Sequence, residues 1–257
     1  MPEPDLTLLI DAAQNAAAIA NRYWQTDQRI TEKPGGAGPV SEGDLAVDTY
    51  LRETLTQARP GYGWLSEETE DDAARLTLPH TFIVDPIDGT RSYIAGERTW
   101  AISLALAHLG QITAAVVYLP QRAKLYSATR GGGAHLNGQA VAASTCTQPD
   151  NASVLAAKSN LDPAHWQGAT PGLIRHFRPS LAYRLCLVAE GRFDAMLTLR
   201  DAWEWDIAAG SLIAQEARAM ATDRTGAPLR FNSPRAQTPG VLTAPAALHG
   251  ALSRRLS

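Results

Sequence analysis

The run FIVDPIDGT, residues 82–90, constrains this chain more than any other stretch. Phe82-Ile83-Val84 is apolar and β-prone, so residues 81–84 read as a buried strand. Two carboxylates, Asp85 and Asp88, then end it, and a Gly89-Thr90 turn follows at once. Burial makes a carboxylate harder to ionise and close like charges repel, so a fold that keeps both acids must bring a cation to them. Strand ends in layered α and β proteins are also where ligands and catalytic groups collect.

The remaining sequence can bury such a strand. Its 257 residues are 45% hydrophobic, enough for one large core or two joined halves. A net charge of -3 argues against a broad nucleic-acid surface. Cys146 and Cys186 stand alone, form no zinc pattern and read as buried thiols of a reducing cytoplasm. The opening MPEPDLTLLID lacks the basic lead of a signal peptide, and no apolar run is long enough to span a bilayer. A soluble, cytoplasmic protein is expected.

Leu6, Leu9, Ile10, Ala13, Ala17, Ala20 and Trp24 recur at helical spacing behind Asp5, which reads as an N-cap. TEKPGGAGP, residues 31–39, reads as a mobile loop carrying the cation Lys33 and able to close over a site. A second helix starts near Ser41, with Leu45, Val47, Leu51 and Leu55 expected inside. Strands are expected over residues 100–108, 112–119, 124–129, 154–157 and 195–199, and a tight loop over 130–138. Helices are expected over 162–175, 180–190 and 206–217. Strands and helices mix without strict alternation, which favours a layered α+β architecture over a doubly wound sheet.

Three acidic clusters matter: Glu67-Glu68, Asp85 with Asp88, and Asp206 in WEWDIAAG. Taken singly, SEETEDD reads as a solvated turn, and Asp206 or Asp44 as a helix N-cap. Taken together, they suit hard divalent ions such as Mg²⁺, which take carboxylate oxygens and leave room for phosphate. Asp85 can bridge two ions, with Glu67 completing one site, Asp88 the other, and the Ile87 carbonyl adding a neutral ligand. Gly89 and Thr90 offer backbone N–H groups to an anion. Together these describe phosphate-ester hydrolysis with paired metals. The DxDGT signature of haloacid dehalogenase-type phosphatases is a near miss, because the spacing here is DxxDGT.

WLSEE, DPIDGT and WDIAAG, in that order, together with GGGAHLNG and CLVAEG, resemble the inositol monophosphatase superfamily of Mg²⁺-dependent, lithium-sensitive phosphatases. The resemblance spans most of the chain. It implies a single unit with a layered αβαβα sandwich, a metal-binding half over residues 1–140, a substrate-side half over 141–257, and a homodimer. It implies Glu67, Asp85, the Ile87 carbonyl, Asp88 and Asp206 as ligands of two or three Mg²⁺ ions. It also implies a nucleophilic water near Glu67, oriented by Thr90 hydrogen-bonded to Asp44, with Glu68 in support.

Within the superfamily, the sequence leans toward the bacterial 3'(2'),5'-bisphosphate nucleotidases. The position where inositol monophosphatases carry a hydroxyl-binding glutamate, seven before Asp206, is Leu199. Arg91 follows DGT, and Arg184 falls where the nucleotidases tend to carry a lysine. Ile87, Asp88, Gly89, Thr90, Arg91, Arg184 and Asp206 are the expected substrate contacts. The arginines have alternative partners in Glu97 and Glu190, and Trp203 and Trp205 offer either a base-stacking face or core packing. Adenosine 3',5'-bisphosphate is thus the first expected substrate, with inositol 1-phosphate or fructose 1,6-bisphosphate as alternatives. A role mainly as a protein partner of transcription machinery is a further reading.

Overall fold

The computed structural model describes residues 4–36 and 38–256. Its first layer is a helix pair, α1 (Asp5–Tyr23) and α2 (Glu42–Ala58). Of the stripe expected in α1, Leu9, Ala13, Ala17 and Ala20 are buried and Leu6, Ile10 and Trp24 half-buried, while Leu8, Ala12 and Ala16 are buried in addition. Pro4, not Asp5, occupies the N-cap position, and Asp5 instead pairs with Arg59 at 2.9 Å. Ser41 caps α2 in a reciprocal box with Asp44. Val47, Leu51 and Leu55 are buried as expected, whereas Leu45 is 48% exposed, one position off the face that packs.

Residues 31–39 are not wholly irregular. β1 (Ile30–Glu32) and β2 (Pro39–Ser41) form an antiparallel ribbon, with a short 3₁₀ turn at Pro34–Gly36 between them. Ala37, within the expected loop, lies outside the described residues.

The second layer is a seven-stranded sheet in chain order: β3 (Gly63–Ser66), β4 (His80–Asp88), β5 (Ala101–His108), β6 (Gln111–Leu119), β7 (Lys124–Thr129), β8 (Ala134–Leu136) and β9 (Gln139–Ala140). β3 runs parallel to β4, and the other pairs are antiparallel. Residues 130–138 therefore contain a strand, β8, where a loop is expected. A one-turn helix, α3 (Thr90–Ile94), follows β4.

Phe82, Val84, Ile102, Leu104 and Val116 pack one face of this sheet against α1 and α2. Ile83, Ala105, Ala115 and Val117 face the central helix layer, α4 (Leu181–Ala189) and α5 (Glu204–Glu216). Beyond these helices lies a mixed five-stranded sheet made of β10 (Ser153–Ala156), β11 (Ile174–His176), β12 (Ala195–Thr198), β14 (Ala219–Thr222) and β16 (Val241–Pro245), in the order β11-β10-β12-β16-β14. A small ribbon, β13 (Ala202–Trp203) with β15 (Gln237–Thr238), leads into α5. The outer layer is α6 (Ala246–Ser253), whose Leu248 and Leu252 join Val154, Leu197 and Leu242 in a separate apolar cluster.

Helices, sheet, helices, sheet, helix: this is the αβαβα sandwich. The helix expected over 162–175 is absent. Gly168, Pro171 and Gly172 break it, leaving a 3₁₀ turn at Pro163–His165 and the edge strand β11. β14, β16 and α6 are elements that the hydrophobic pattern does not reveal. Among the described residues no helix is long and apolar enough to cross a membrane. Cys186 is buried as expected, but Cys146 is only half-buried.

Candidate active site

The site is built on an irregularity in β4. The strand does not stop at Val84 but continues through Asp88, and its register against β5 shifts between Asp85↔Ser103 and Asp88↔Ala101. Three steps on β4 oppose two on β5, so Pro86-Ile87 holds one extra residue, a bulge. In a regular strand, residues three apart point to opposite faces. The extra residue cancels that alternation, and both Asp85 and Asp88 line one cleft. Proline suits the bulge because it has no ladder N–H to lose.

Gly89 ends the strand at φ 102°, a left-handed conformation costly for other residues, and a Cβ there would come within 3.2 Å of the Thr99 carbonyl. This turn brings Thr90 under Asp44: Thr90 Oγ1 lies 3.1 Å from Asp44 Oδ1 and 3.2 Å from the Ile87 carbonyl. Asp44 Oδ2 accepts from the Ser41 backbone N–H at 3.0 Å and from Ser41 Oγ at 2.5 Å. Burial pushes the Asp44 carboxyl up to about 6, against the pull of these hydrogen bonds. Asp44 is thus both a capping residue and the partner of Thr90.

Glu67, Asp85 and Asp206 each place an oxygen within 4.8 Å of the others. Glu67 comes from the turn after β3, and Asp206 is the third residue of α5. Asp48 of α2 braces the Glu67 turn, accepting from Ser66 Oγ at 2.5 Å and Thr69 Oγ1 at 2.6 Å. Asp85 Oδ1 accepts from the Ile87 N–H at 3.0 Å, while Oδ2 is buried with no partner. Burial first, then Glu67, Asp88 and Asp206, holds the Asp85 carboxyl well above the usual range. Asp206 is raised for the same reasons, with Arg200 and Lys33 opposing. An orphaned buried oxygen within a ring of carboxylates is the electrostatic complement of a hard cation, so these residues fit a metal.

Asp88 shares the cleft but is used differently. Its Oδ2 accepts from Ser180 Oγ at 2.6 Å and the Ala182 N–H at 2.7 Å, and its Oδ1 from the Leu181 N–H at 3.3 Å. It therefore joins the end of β4 to the N-terminus of α4.

Lys33 reaches into the cluster from the ribbon, with Nζ 2.7 Å from both Glu67 Oε1 and Glu68 Oε1. Burial works against its charge, but the two glutamates prevail and raise its pKa. Burial lifts Glu68 to about 7. An ammonium on Glu67 must leave before a cation can take that oxygen. Lys33→Met should therefore tighten Mg²⁺ binding by about five-fold, the equivalent of about 1 kcal/mol for a partly buried ion pair. Calorimetric titration checks this, and unchanged affinity would show that Lys33 does not compete there in solution.

The cleft holds about 730 Å³ and is lined on its far side by Asn160, Phe177, Arg184, Thr198 and Arg200. Arg200 was not legible as a site residue; Arg91 and Arg184 were. Arg184 is buried, donates Nε to the Arg178 carbonyl and Nη2 to the Pro179 carbonyl at 3.4 Å, and lies 4.4 Å from the Phe177 ring centre. Burial lowers its pKa to about 10. The alternative partners are occupied elsewhere: Glu97 accepts from Ser92 Oγ, and Glu190 from Lys124 and Tyr126. Leu199 does not line the cleft; its side chain is buried in the outer apolar cluster. Trp203 and Trp205 stack on each other at 4.7 Å, away from the cleft.

The sequence matches the family model described as the inositol monophosphatase family over residues 1–256. The chain belongs to the inositol monophosphatase family. As a member it is a metal-dependent phosphomonoesterase, and the acidic cluster is the feature that fits this chemistry. The chain is 34% identical over 236 residues to the inositol-1-monophosphatase of Rhizobium meliloti, with 86% of each chain covered. It is 34% identical over 234 residues to a putative Nus factor SuhB of Neisseria meningitidis, covering 87% of this chain and 88% of that one. The SuhB structure from Bartonella henselae superposes with a TM-score of 0.81 at 26% identity, covering 96% of each chain. The IMPase of Thermotoga maritima shares the fold with a TM-score of 0.82 at 23% identity, covering 97% of this chain and 95% of that one.

Proposed function

We propose that this enzyme hydrolyses the monoester of a small polyol, of the inositol 1-phosphate type, with two Mg²⁺ ions. The unpartnered Asp85 carboxylate among Glu67 and Asp206, beside the Thr90–Asp44 pair, carries this reading. Bound at Glu67, Asp85, the Ile87 carbonyl, Asp88 and Asp206, the ions supply Lewis acidity and neutralise phosphate charge. The protein's own groups do the rest. Thr90 Oγ1 orients the attacking water and passes its proton toward Asp44, and the Gly89 turn leaves the phosphate oxygens close access to backbone. Lithium, competing for these oxygens, is expected to inhibit.

The polyol reading displaces the nucleotidase reading from first place. Relatives at 34% identity include one named inositol-1-monophosphatase. Of the residues that favour a bisphosphate, Arg184 loses weight because it already spends two of its nitrogens on backbone carbonyls. Leu199 lies outside the cleft lining and still offers no acceptor to an inositol hydroxyl. The bisphosphate reading retains two supports, the leucine at position 199 in place of a hydroxyl-binding glutamate and three guanidinium groups (Arg91, Arg184, Arg200) around a single cleft. The complete acidic set supports catalysis over a role limited to protein binding.

Phosphate release from inositol 1-phosphate, adenosine 3',5'-bisphosphate and fructose 1,6-bisphosphate separates these readings. Inositol 1-phosphate should give the highest kcat/KM. If the bisphosphate leads, and Arg184→Ala lowers kcat/KM on it by about ten-fold or more while sparing a monophosphate, the polyol assignment fails and the metal mechanism stands.

A further inference from the structure

A second concavity, of about 130 Å³, has a lining separate from that of the acidic cleft. Gln111 starts β6, Arg130 follows β7, Ser211 and Gln215 come from α5, and Arg230 and Phe231 close the remaining side. Among the described residues, two arginines line it and no carboxylate does. The neighbouring Glu216 is committed elsewhere, accepting from the Gly131 N–H at 2.9 Å and the Gly133 N–H at 3.0 Å.

Arg130 is held in place. Its Nε donates to the Ile112 carbonyl at 2.9 Å, and its backbone N–H to the Thr113 carbonyl at 2.9 Å. Among the described residues, neither Nη of Arg130 and no side-chain nitrogen of Arg230 has a protein acceptor, and neither arginine forms an ion pair. A guanidinium anchored through Nε with both Nη groups free is a pre-organised donor pair. The side-chain amide of Gln111 adds a neutral donor, that of Gln215 already gives one N–H to the Ala221 carbonyl at 3.5 Å, and Ile112, Leu229 and Phe231 give the walls apolar surface. Arg130 and Arg230 are both exposed at the rim, so an incoming anion would meet them from solvent, with buried Ile112, Leu229 and Phe231 forming the floor.

We propose that this concavity is a second anion site, which takes a small tetrahedral oxyanion such as inorganic phosphate. A carboxylate offers two oxygens, which one guanidinium fork can saturate. A tetrahedral oxyanion has oxygens to share between two guanidinium groups and the amides. The volume is well below the roughly 300–1,000 Å³ of pockets that enclose whole organic ligands, so a sugar or nucleoside would not fit inside. The site shares no lining residue with the catalytic cleft.

Inorganic phosphate titrated calorimetrically into the Mg²⁺-loaded full chain tests this. Two sites are expected. Arg230→Gln, at a side chain with no protein hydrogen bond to lose, should weaken one of them by about ten-fold or more. Arg130→Ala with Arg230→Ala should remove that site, while kcat/KM stays within about two-fold of wild type, an effect below 1 kcal/mol. Asp85→Asn should weaken only the other site. A single site abolished by Asp85→Asn would overturn the proposal, as would phosphate binding unaltered by Arg230→Gln and the double variant.

Discussion

Asp85→Asn should abolish turnover and, in the same protein freed of metal, raise the melting temperature. The two effects have one origin. Asp85 is 1% exposed, and its Oδ2 has no protein partner, so its charge is useful only when a cation meets it. Removing that charge removes a cation ligand, and Lewis-acid stabilisation of several kcal/mol corresponds to on the order of 10³-fold or more in kcat. Asn keeps the oxygen that accepts the Ile87 N–H, so the bulge is preserved.

In the metal-free protein the carboxyl is raised above its ordinary 3.8 by burial and by Glu67, Asp88 and Asp206. A raised acid favours its protonated form in the folded state. The unfolded chain therefore releases the proton first, and stability falls as pH rises above 3.8 toward the folded value. Asn never ionises and escapes that loss. The melting-temperature gap between variant and wild type should be small at acid pH and widen toward neutrality, by about 2–4 °C for each kcal/mol relieved. Scanning calorimetry in a chelator reads it directly. Wild-type turnover under saturating Mg²⁺, or a gap that does not grow with pH, would remove Asp85 from the centre of the site.

Thr90→Ala should cost about 10²–10⁴-fold in kcat with little change in KM. Its hydroxyl is the group that lies between Asp44 Oδ1 and the Ile87 carbonyl, and among the described residues no other side chain donates to Asp44 Oδ1. Thr90→Ser keeps the hydroxyl and should recover most of the activity. Equal losses in both variants would mean that Thr90 serves only to pack the turn.

How much of this was readable beforehand depends on the range of the interaction involved. α1 and α2 follow from a 3.6-residue apolar period and from Ser41 capping, both local, and they appear at nearly the expected bounds. Leu45 was misread because a helix's buried face is chosen by its neighbour, here α1 and β4, and not by its own spacing. The short strand β16 and the helix α6 sit in a run too short for periodicity to tell strand from helix.

The same division holds at the site. Glu67, Asp85, Asp88 and Asp206 could be singled out because paired carboxylates beside a glycine turn are written in residue types, whereas the pairing of Thr90 with Asp44 came only from the family resemblance. Four matters were not legible. The bulge that swings Asp85 and Asp88 into one cleft is a register shift, which exists only once β5 is alongside. Lys33 on Glu67, and Asp48 bracing the Glu67 turn, depend on segments brought together by the ribbon and by α2. Arg200 and Leu199 are adjacent, and only the packing of the second sheet turns one to the cleft and the other into the outer core. Sequence by itself determined which acids this protein has and that they needed a cation. The tertiary structure decided which oxygens converge, because convergence is set by long-range packing and register, and neither is encoded in any single segment.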